Sequence, residues 1–131
     1  DPFHGGTLLT EKDCQERLDR IFNSKVKPEP KMLRACKRKD MLERMLRNLK
    51  AIYLRDQDTD RALRVVDLIV RIQPGSAEDL RDRGVLYASL DCYGLAARDL
   101  ESYLALAPQA KDAEDLAARV AVLRMKASRL N

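Results

Sequence analysis

Nucleophilic or metal chemistry in this 131-residue chain would have to come from three cysteines and one histidine. Cys14, Cys36 and Cys92 are odd in number, widely spaced and far from any second metal-type ligand, so the sequence supports neither a disulfide framework nor a zinc site. No metal or cofactor is expected. His4 sits in the glycine-rich turn sequence Phe3-His4-Gly5-Gly6, and no cysteine has a partner nearby in sequence, so catalysis within these residues is not expected. This cysteine usage points to a reducing, cytosolic compartment.

The chemistry the sequence does offer is cationic. Residues 25–55 hold eleven Lys or Arg against three acids, whereas residues 1–24 and 56–131 are each slightly acidic. Such an imbalance fits an acidic partner, a nucleic acid or a solvated helix face. Projected on a helix, residues 37–55 place Met41, Leu42, Met45, Leu46, Leu49, Ile52 and Tyr53 on one side. Lys37, Lys39, Arg44, Arg47, Lys50 and Arg55 fall on the other, relieved only by Asp40 and Glu43. Nucleic acid is the weaker candidate ligand: Lys37-Arg38-Lys39 favours it, but aromatic stacking platforms are missing, the net charge is modest and the second repeat is acidic.

The elements that must position these side chains are repeats. Pro74 and Pro108 are 34 residues apart, and Leu46/Leu80, Tyr53/Tyr87, Ala62/Ala96, Val66/Leu100 and Ile72/Leu106 share that separation. This is the period and internal spacing of tetratricopeptide (TPR) repeats: Leu80-x2-Arg83-Gly84-x2-Tyr87, then Ala96-x3-Leu100, then Pro108. The small residues Gly84, Ala62 and Ala96 let paired helices approach, and Pro74 and Pro108 stop each second helix. The pattern predicts helices over 38–55, 59–72, 77–90 and 93–106, with Asp58 or Thr59 and Ser76 as N-caps. A further helix from Asp112, apolar at Leu116, Val120, Leu123, Ala127 and Leu130, reads as a C-terminal cap over the last repeat. Upstream, Thr10 and Asp13 open a helix carrying Cys14, Leu18, Ile21 and Phe22, ending near Asn23. Lys25–Pro30 reads as a linker, and Pro30–Cys36 shows no strong periodicity.

The fold class expected is therefore all-α: TPR-type antiparallel helical hairpins between an N-terminal helix and a capping helix. No apolar run approaches the ~20 residues a spanning helix needs, so no membrane partner is expected. In TPR proteins the first helix of each repeat lines a concave groove. With repeats over 43–76 and 77–110 and the cap over 111–131, the groove positions are Arg44, Arg47, Ala51, Leu54 and Arg55, then Glu78, Arg81, Val85, Ala88 and Ser89. Arg44, Arg47, Arg55, Arg81 and Ser89 are the candidate partner-binding residues, suited to an acidic protein or peptide because the guanidinium fork pairs with carboxylate. Ala51 and Val85 stand where a chaperone-tail clamp needs asparagine, which argues against that class of ligand. Arg83 replaces a packing leucine of the consensus, so an acidic neighbour such as Asp99 or Asp67 is expected beside it.

The opening Asp1-Pro2-Phe3-x-Gly5-Gly6, the run Arg44-Met45-Leu46-Arg47-Asn48-Leu49-Lys50-Ala51-Ile52-Tyr53-Leu54, and the Leu80-Arg81-Asp82-Arg83-Gly84 and Leu104-Ala105-Leu106-Ala107-Pro108 segments resemble the bacterial SirB family. Those proteins join a transglutaminase-like domain to a C-terminal TPR region. The resemblance implies that residues 1–9 are a remnant of the transglutaminase-like domain, 10–36 a helix and linker, and 37–131 the TPR region. It also implies that Asp1 stands where the third member of a Cys-His-Asp catalytic set would, orienting an imidazole. Two functions follow as expectations: a protein-interaction scaffold, or a piece of a hydrolase or acyl-transferase whose Cys and His lie upstream. With no initiator methionine before Asp1, the chain reads as a fragment, and self-association through surface left by truncation is a further expectation.

Overall fold

A computed structural model describes residues 3–4, 7–8, 16 and 29–130. Five α-helices follow one another in them: α1 (Pro30–Arg55), α2 (Thr59–Ile72), α3 (Ala77–Ser89), α4 (Tyr93–Leu106) and α5 (Ala113–Arg129). Each packs chiefly on the next in sequence, as in a solenoid whose repeats touch only their neighbours. Ahead of them β1 (Phe3–His4) pairs antiparallel with β2 (Thr7–Leu8), Phe3 opposite Leu8. The architecture is all-α, built of antiparallel hairpins. The expected N-terminal helix from Thr10 to Asn23 lies, apart from Glu16, outside the described residues, as do Asp1 and the Lys25–Pro28 part of the linker.

The 34-residue period of the sequence is a period of the backbone. α2 and α4 begin and end 34 residues apart, and so do the two non-glycine residues of positive φ, Gln57 at 57° and Asp91 at 59°. Each closes the preceding helix with the same pair of bonds. Asp58 N–H donates to the Tyr53 carbonyl at 2.9 Å and Gln57 N–H to Leu54 at 3.2 Å; Cys92 N–H donates to Tyr87 at 2.9 Å and Asp91 N–H to Ala88 at 3.1 Å. These are Schellman closures, which satisfy carbonyls that a helix end leaves orphaned. Without glycine, the left-handed residue costs about 1 kcal/mol per site. Asp58 then caps α2 through its side chain, accepting from the Arg61 N–H at 3.3 Å. Gln73 and Ala107, kept out of the helical region by the prolines that follow, end α2 and α4.

Ala62, Val66, Ala96, Ala97 and Leu100 are fully enclosed, and with Val70, Leu80, Leu86, Tyr103, Leu116 and Leu123 they form one core running from α2 to α5. A second cluster, Leu46, Val65, Ile69 and Ile72, fastens α1 to α2. At Gly84 the α3 and α4 backbones come close: a Cβ there would lie 2.9 Å from Leu100 Cγ and 3.3 Å from the Ala96 carbonyl oxygen.

Several expectations are corrected. α1 starts at Pro30, eight residues before the expected start, because proline at the first helical position forfeits an N–H that would be unpaired anyway and arrives with a helical φ. Ser76 occupies the N-cap of α3, yet its hydroxyl donates to the Asp79 carboxylate at 2.6 Å instead of accepting from the backbone. Lys39 and Lys50 are buried, not solvated, and Met41, Met45 and Ile52 of the apolar side are exposed. Leu106 is exposed where its counterpart Ile72 is buried, and Leu130 is exposed at the end of the cap. Cys36 is disulfide-bonded, against the expectation of free thiols, whereas Cys92 is free.

Replacing Gly84 with alanine tests the close approach. Helix propensity alone would favour alanine by about 1 kcal/mol, but crowding against Leu100 and a backbone carbonyl costs about 1–3 kcal/mol. Urea denaturation is expected to show Gly84→Ala less stable than the parent; a gain in stability would mean that the helices are free to part.

Candidate functional site

The first helices of the two repeats, α1 and α3, carry the groove positions, and the geometry divides the five candidate residues into two kinds. Arg44 and Arg55 are exposed; the Arg55 Nε reaches only its neighbour Asp56, at 3.4 Å on the surface. Ser89 is also exposed, with its hydroxyl donating to the Leu86 carbonyl at 2.7 Å. Arg47 and Arg81, in contrast, are bound into ion pairs between repeats.

Arg47 lies one turn from Glu43 on α1, with Nε to Oε1 at 3.3 Å. Its other nitrogens cross to the next repeat, reaching both oxygens of Asp79 at 3.3 and 3.0 Å, and one of them also reaches the side-chain amide oxygen of Gln73, at the end of α2, at 3.4 Å. Gln73 returns a bond from its amide to Glu43 at 3.0 Å. One turn further along α1, Lys50 Nζ lies 2.8 Å from Asp79 and 2.7 Å from Asp82. Asp79 is wholly enclosed. Burial pushes its carboxyl up, but hydrogen bonds from Arg47, Lys50 and Ser76, with the Lys50 charge, outweigh that and hold it below the ordinary carboxylate range. Burial pulls the Lys50 ammonium down, and the two carboxylates more than restore it.

A looser counterpart recurs one repeat on. Arg81 reaches Asp112 and Asp82, each at 3.5 Å, and lies over the Tyr103 ring, 5.7 Å from its centroid. The Tyr103 hydroxyl donates to Asp112 at 2.7 Å, so the same carboxylate ties α4 to the head of α5. The acid lies 32 residues after Arg47 and 31 after Arg81. The nearest sequence signal is that an acid follows each arginine by just under one repeat, although not at the equivalent position.

Arg83 has the acidic neighbours expected of it. Its Nε and one terminal nitrogen grip the buried Asp99 at 2.6 and 2.7 Å, and the other reaches Asp67 at 2.9 Å. The fork-to-fork pairing with Asp99 holds the guanidinium well above its usual range and joins α2, α3 and α4 through one side chain. Tyr87 lies beneath it, 5.8 Å to the ring centroid.

What is left free on this side is an apolar strip at groove positions Ala51, Leu54 and Val85, all exposed, with Arg44 and Arg55 beside it. Asp1 lies outside the described residues. No group of three potential metal ligands occurs among the described residues, and no helix among them is long and apolar enough to cross a membrane.

Comparison with known proteins places this geometry. The tetratricopeptide repeat family profile matches residues 49–121, and the transglutaminase-like superfamily profile matches residues 1–47. A UPF0162 protein of Xylella fastidiosa (strain 9a5c) is 35% identical over 111 residues, covering 82% of this chain and 40% of the relative. The UPF0162 protein YchA of Escherichia coli (strain K12) is 25% identical over 124 residues, covering 92% of this chain and 44% of its own length. Protein SirB1 of Salmonella typhimurium is 24% identical over 130 residues, covering 96% and 46% respectively. The resemblance to the SirB family therefore holds, and the chain spans less than half the length of these relatives. No solved structure matches significantly.

Two measurements probe the ionic network. Arg83→Leu, although it restores the repeat consensus, strands the buried carboxylate of Asp99, while Asp67 keeps Arg71 at 3.0 Å, and is expected to cost about 3–5 kcal/mol in urea denaturation. Adding Asp99→Ala to it should recover a large part of that loss, and no recovery would show that packing, not charge, sets the cost. For Asp79, a carboxyl held low in the folded chain means that the unfolded chain takes up its proton first as pH falls. The stabilisation is then complete above about pH 4 and is lost as pH drops through the folded value. Thermal melts from pH 6 to 2.5 should show Asp79→Asn less stable at the start but losing less on acidification; an equal loss would remove Asp79 from the acid response.

Proposed function

The chain belongs to the tetratricopeptide repeat family, and from that premise we propose that it is a protein-interaction scaffold whose concave side takes an acidic peptide or protein segment. The observation that carries this reading is that Arg44 and Arg55 stay exposed beside the apolar strip of Ala51, Leu54 and Val85, Arg55 with a surface ion pair to its neighbour Asp56, while Arg47 is held by the enclosed Asp79 and Arg81 by Asp112. Arg47 and Arg81 support the groove wall more than they bind, and Ser89 lies at its margin. Salt would weaken such binding, because both arginines are exposed to solvent.

On this reading residues 37–131 are the TPR region, residues 10–36 lead into it, and residues 1–9 belong to a transglutaminase-like part. A second reading, favoured by the transglutaminase-like match over residues 1–47, makes the chain a piece of a Cys-His-Asp hydrolase or acyl-transferase with Asp1 as the orienting carboxylate. A cytoplasmic location belongs with the scaffold reading.

Fluorescence anisotropy with a labelled glutamate-rich peptide carrying two leucines provides the test. Arg44→Glu with Arg55→Glu is expected to weaken binding about tenfold or more while leaving the melting temperature nearly unchanged. Arg47→Ala should do the reverse, lowering stability more than affinity. Unchanged affinity in the double variant would sink the groove reading, and tighter, steeply salt-dependent binding of single-stranded RNA would replace it with nucleic-acid recognition.

A further inference from the structure

The face of α1 turned away from α2 carries Met41 at 63% exposure, Met45 at 59% and Ile52 at 40%, three large apolar side chains in the open. With Asn48 they fall within about 60° of arc on the helix, so they form one stripe. Exposed Lys37, Arg38, Arg44 and Arg55 flank it. The inward residues of the same helix, Leu42, Leu46, Leu49 and Tyr53, pack on α2. The stripe is therefore the open end of the stack. In a solenoid each repeat buries the face of the one before it, and an end that nothing covers leaves apolar surface in water. Scattered exposed apolar residues need no explanation, but an aligned row of them on one helix marks an interface.

Two boundaries indicate what covers it. The transglutaminase-like match ends at residue 47 and the tetratricopeptide match begins at residue 49, both inside the uninterrupted helix Pro30–Arg55. Met41 and Met45 thus lie within the transglutaminase-like match and Ile52 within the repeats, yet all three share one stripe. A helix common to two units can present one face to each, and here the inner face is already taken by α2. We propose that the Met41–Met45–Ile52 face is the seat of the transglutaminase-like domain, which caps the open end of the repeat stack and is held in fixed orientation by α1. The partner surface is apolar with an acidic rim, to match the flanking cations. The apolar stripe of this interface lies outside the groove positions, with Arg44 and Arg55 on the border between the two, and the proposal stands whether or not the groove binds an acidic peptide.

Methionine oxidation reads the proposal directly. Brief peroxide treatment followed by mass spectrometry compares the 131-residue chain with a full-length polypeptide in which a complete transglutaminase-like domain precedes it. Met125, 52% exposed on α5 at the far end, is the internal control. Met41 and Met45 are expected to oxidise about tenfold more slowly in the longer polypeptide, with Met125 unchanged. Met45→Lys in the longer polypeptide should restore fast oxidation of Met41. Equal rates in the two chains would overturn the proposal. So would protection that grows with protein concentration in the 131-residue chain, which assigns the face to a second copy, or protection conferred only by an added glutamate-rich peptide.

Discussion

The carboxylate of Asp79 is the point on which the first repeat hangs from the second. It is fully enclosed, and an enclosed charge is tolerated only when its oxygens are filled. Arg47 and Lys50 come to it from α1, and Ser76 comes from the turn that opens α3. Because Lys50 also holds Asp82, and Arg47 is itself steadied by Glu43 and Gln73, the register of α1 against α3 is set by Arg47 and Lys50 meeting Asp79 and Asp82 one turn apart. Apolar contacts bind α1 to α2 without naming one register so strictly. A solenoid needs such a device, since its stability is a sum of neighbouring interfaces and nothing distant corrects a slip.

This constraint decides what the basic segment has left to offer. Counted in the sequence, residues 25–55 carry a large excess of cations. In the fold, Lys39 and Lys50 are enclosed and Arg47 is committed to Asp79. Among the described residues, the charge of this segment left to a partner lies on the solvent side of α1, at Lys31, Arg34, Lys37, Arg38, Arg44 and Arg55, beside the exposed Met41 and Met45. A surface of that kind discriminates through its apolar patches and uses charge for orientation and rate.

The fold was legible because the 34-residue pairs are themselves core positions: Leu46 with Leu80, Ala62 with Ala96 and Val66 with Leu100 are buried at equivalent places. Arg83 was legible for a related reason, since a cation at a packing position must bring its own counter-charge. What the sequence concealed was the fate of Arg47, Lys50 and Arg81. A helical projection sorts residues by their own helix alone, and their partners sit 29 to 32 residues away, on the next repeat or at the head of the capping helix. The same limitation inverted Met41, Met45 and Ile52, which a projection assigns to the core with Leu42 and Leu46 although the helix can bury only one part of its apolar arc on α2. At the N-terminal boundary the error was chemical. Pro28 and Pro30 punctuate a linker in sequence, but a proline at the first turn is as compatible with starting a helix as with avoiding one.

The extent of α1 has a mechanical consequence. A flexible linker would let the repeats and a preceding domain reorient independently, whereas 26 residues of unbroken helix span about 39 Å as a rigid rod. Its middle and C-terminal half are clamped by the Asp79 network and by Leu46, Ile69 and Ile72 on one side. Any body seated on the other side inherits that orientation, so a ligand in the groove and a domain on the outer face would sense each other through one helix. Coupling of this kind requires two arrangements of α1 against α3, and the polar clamp at Asp79 is where a second arrangement would have to break bonds. The network that fixes the repeats is thus also the element through which groove and outer face could be linked.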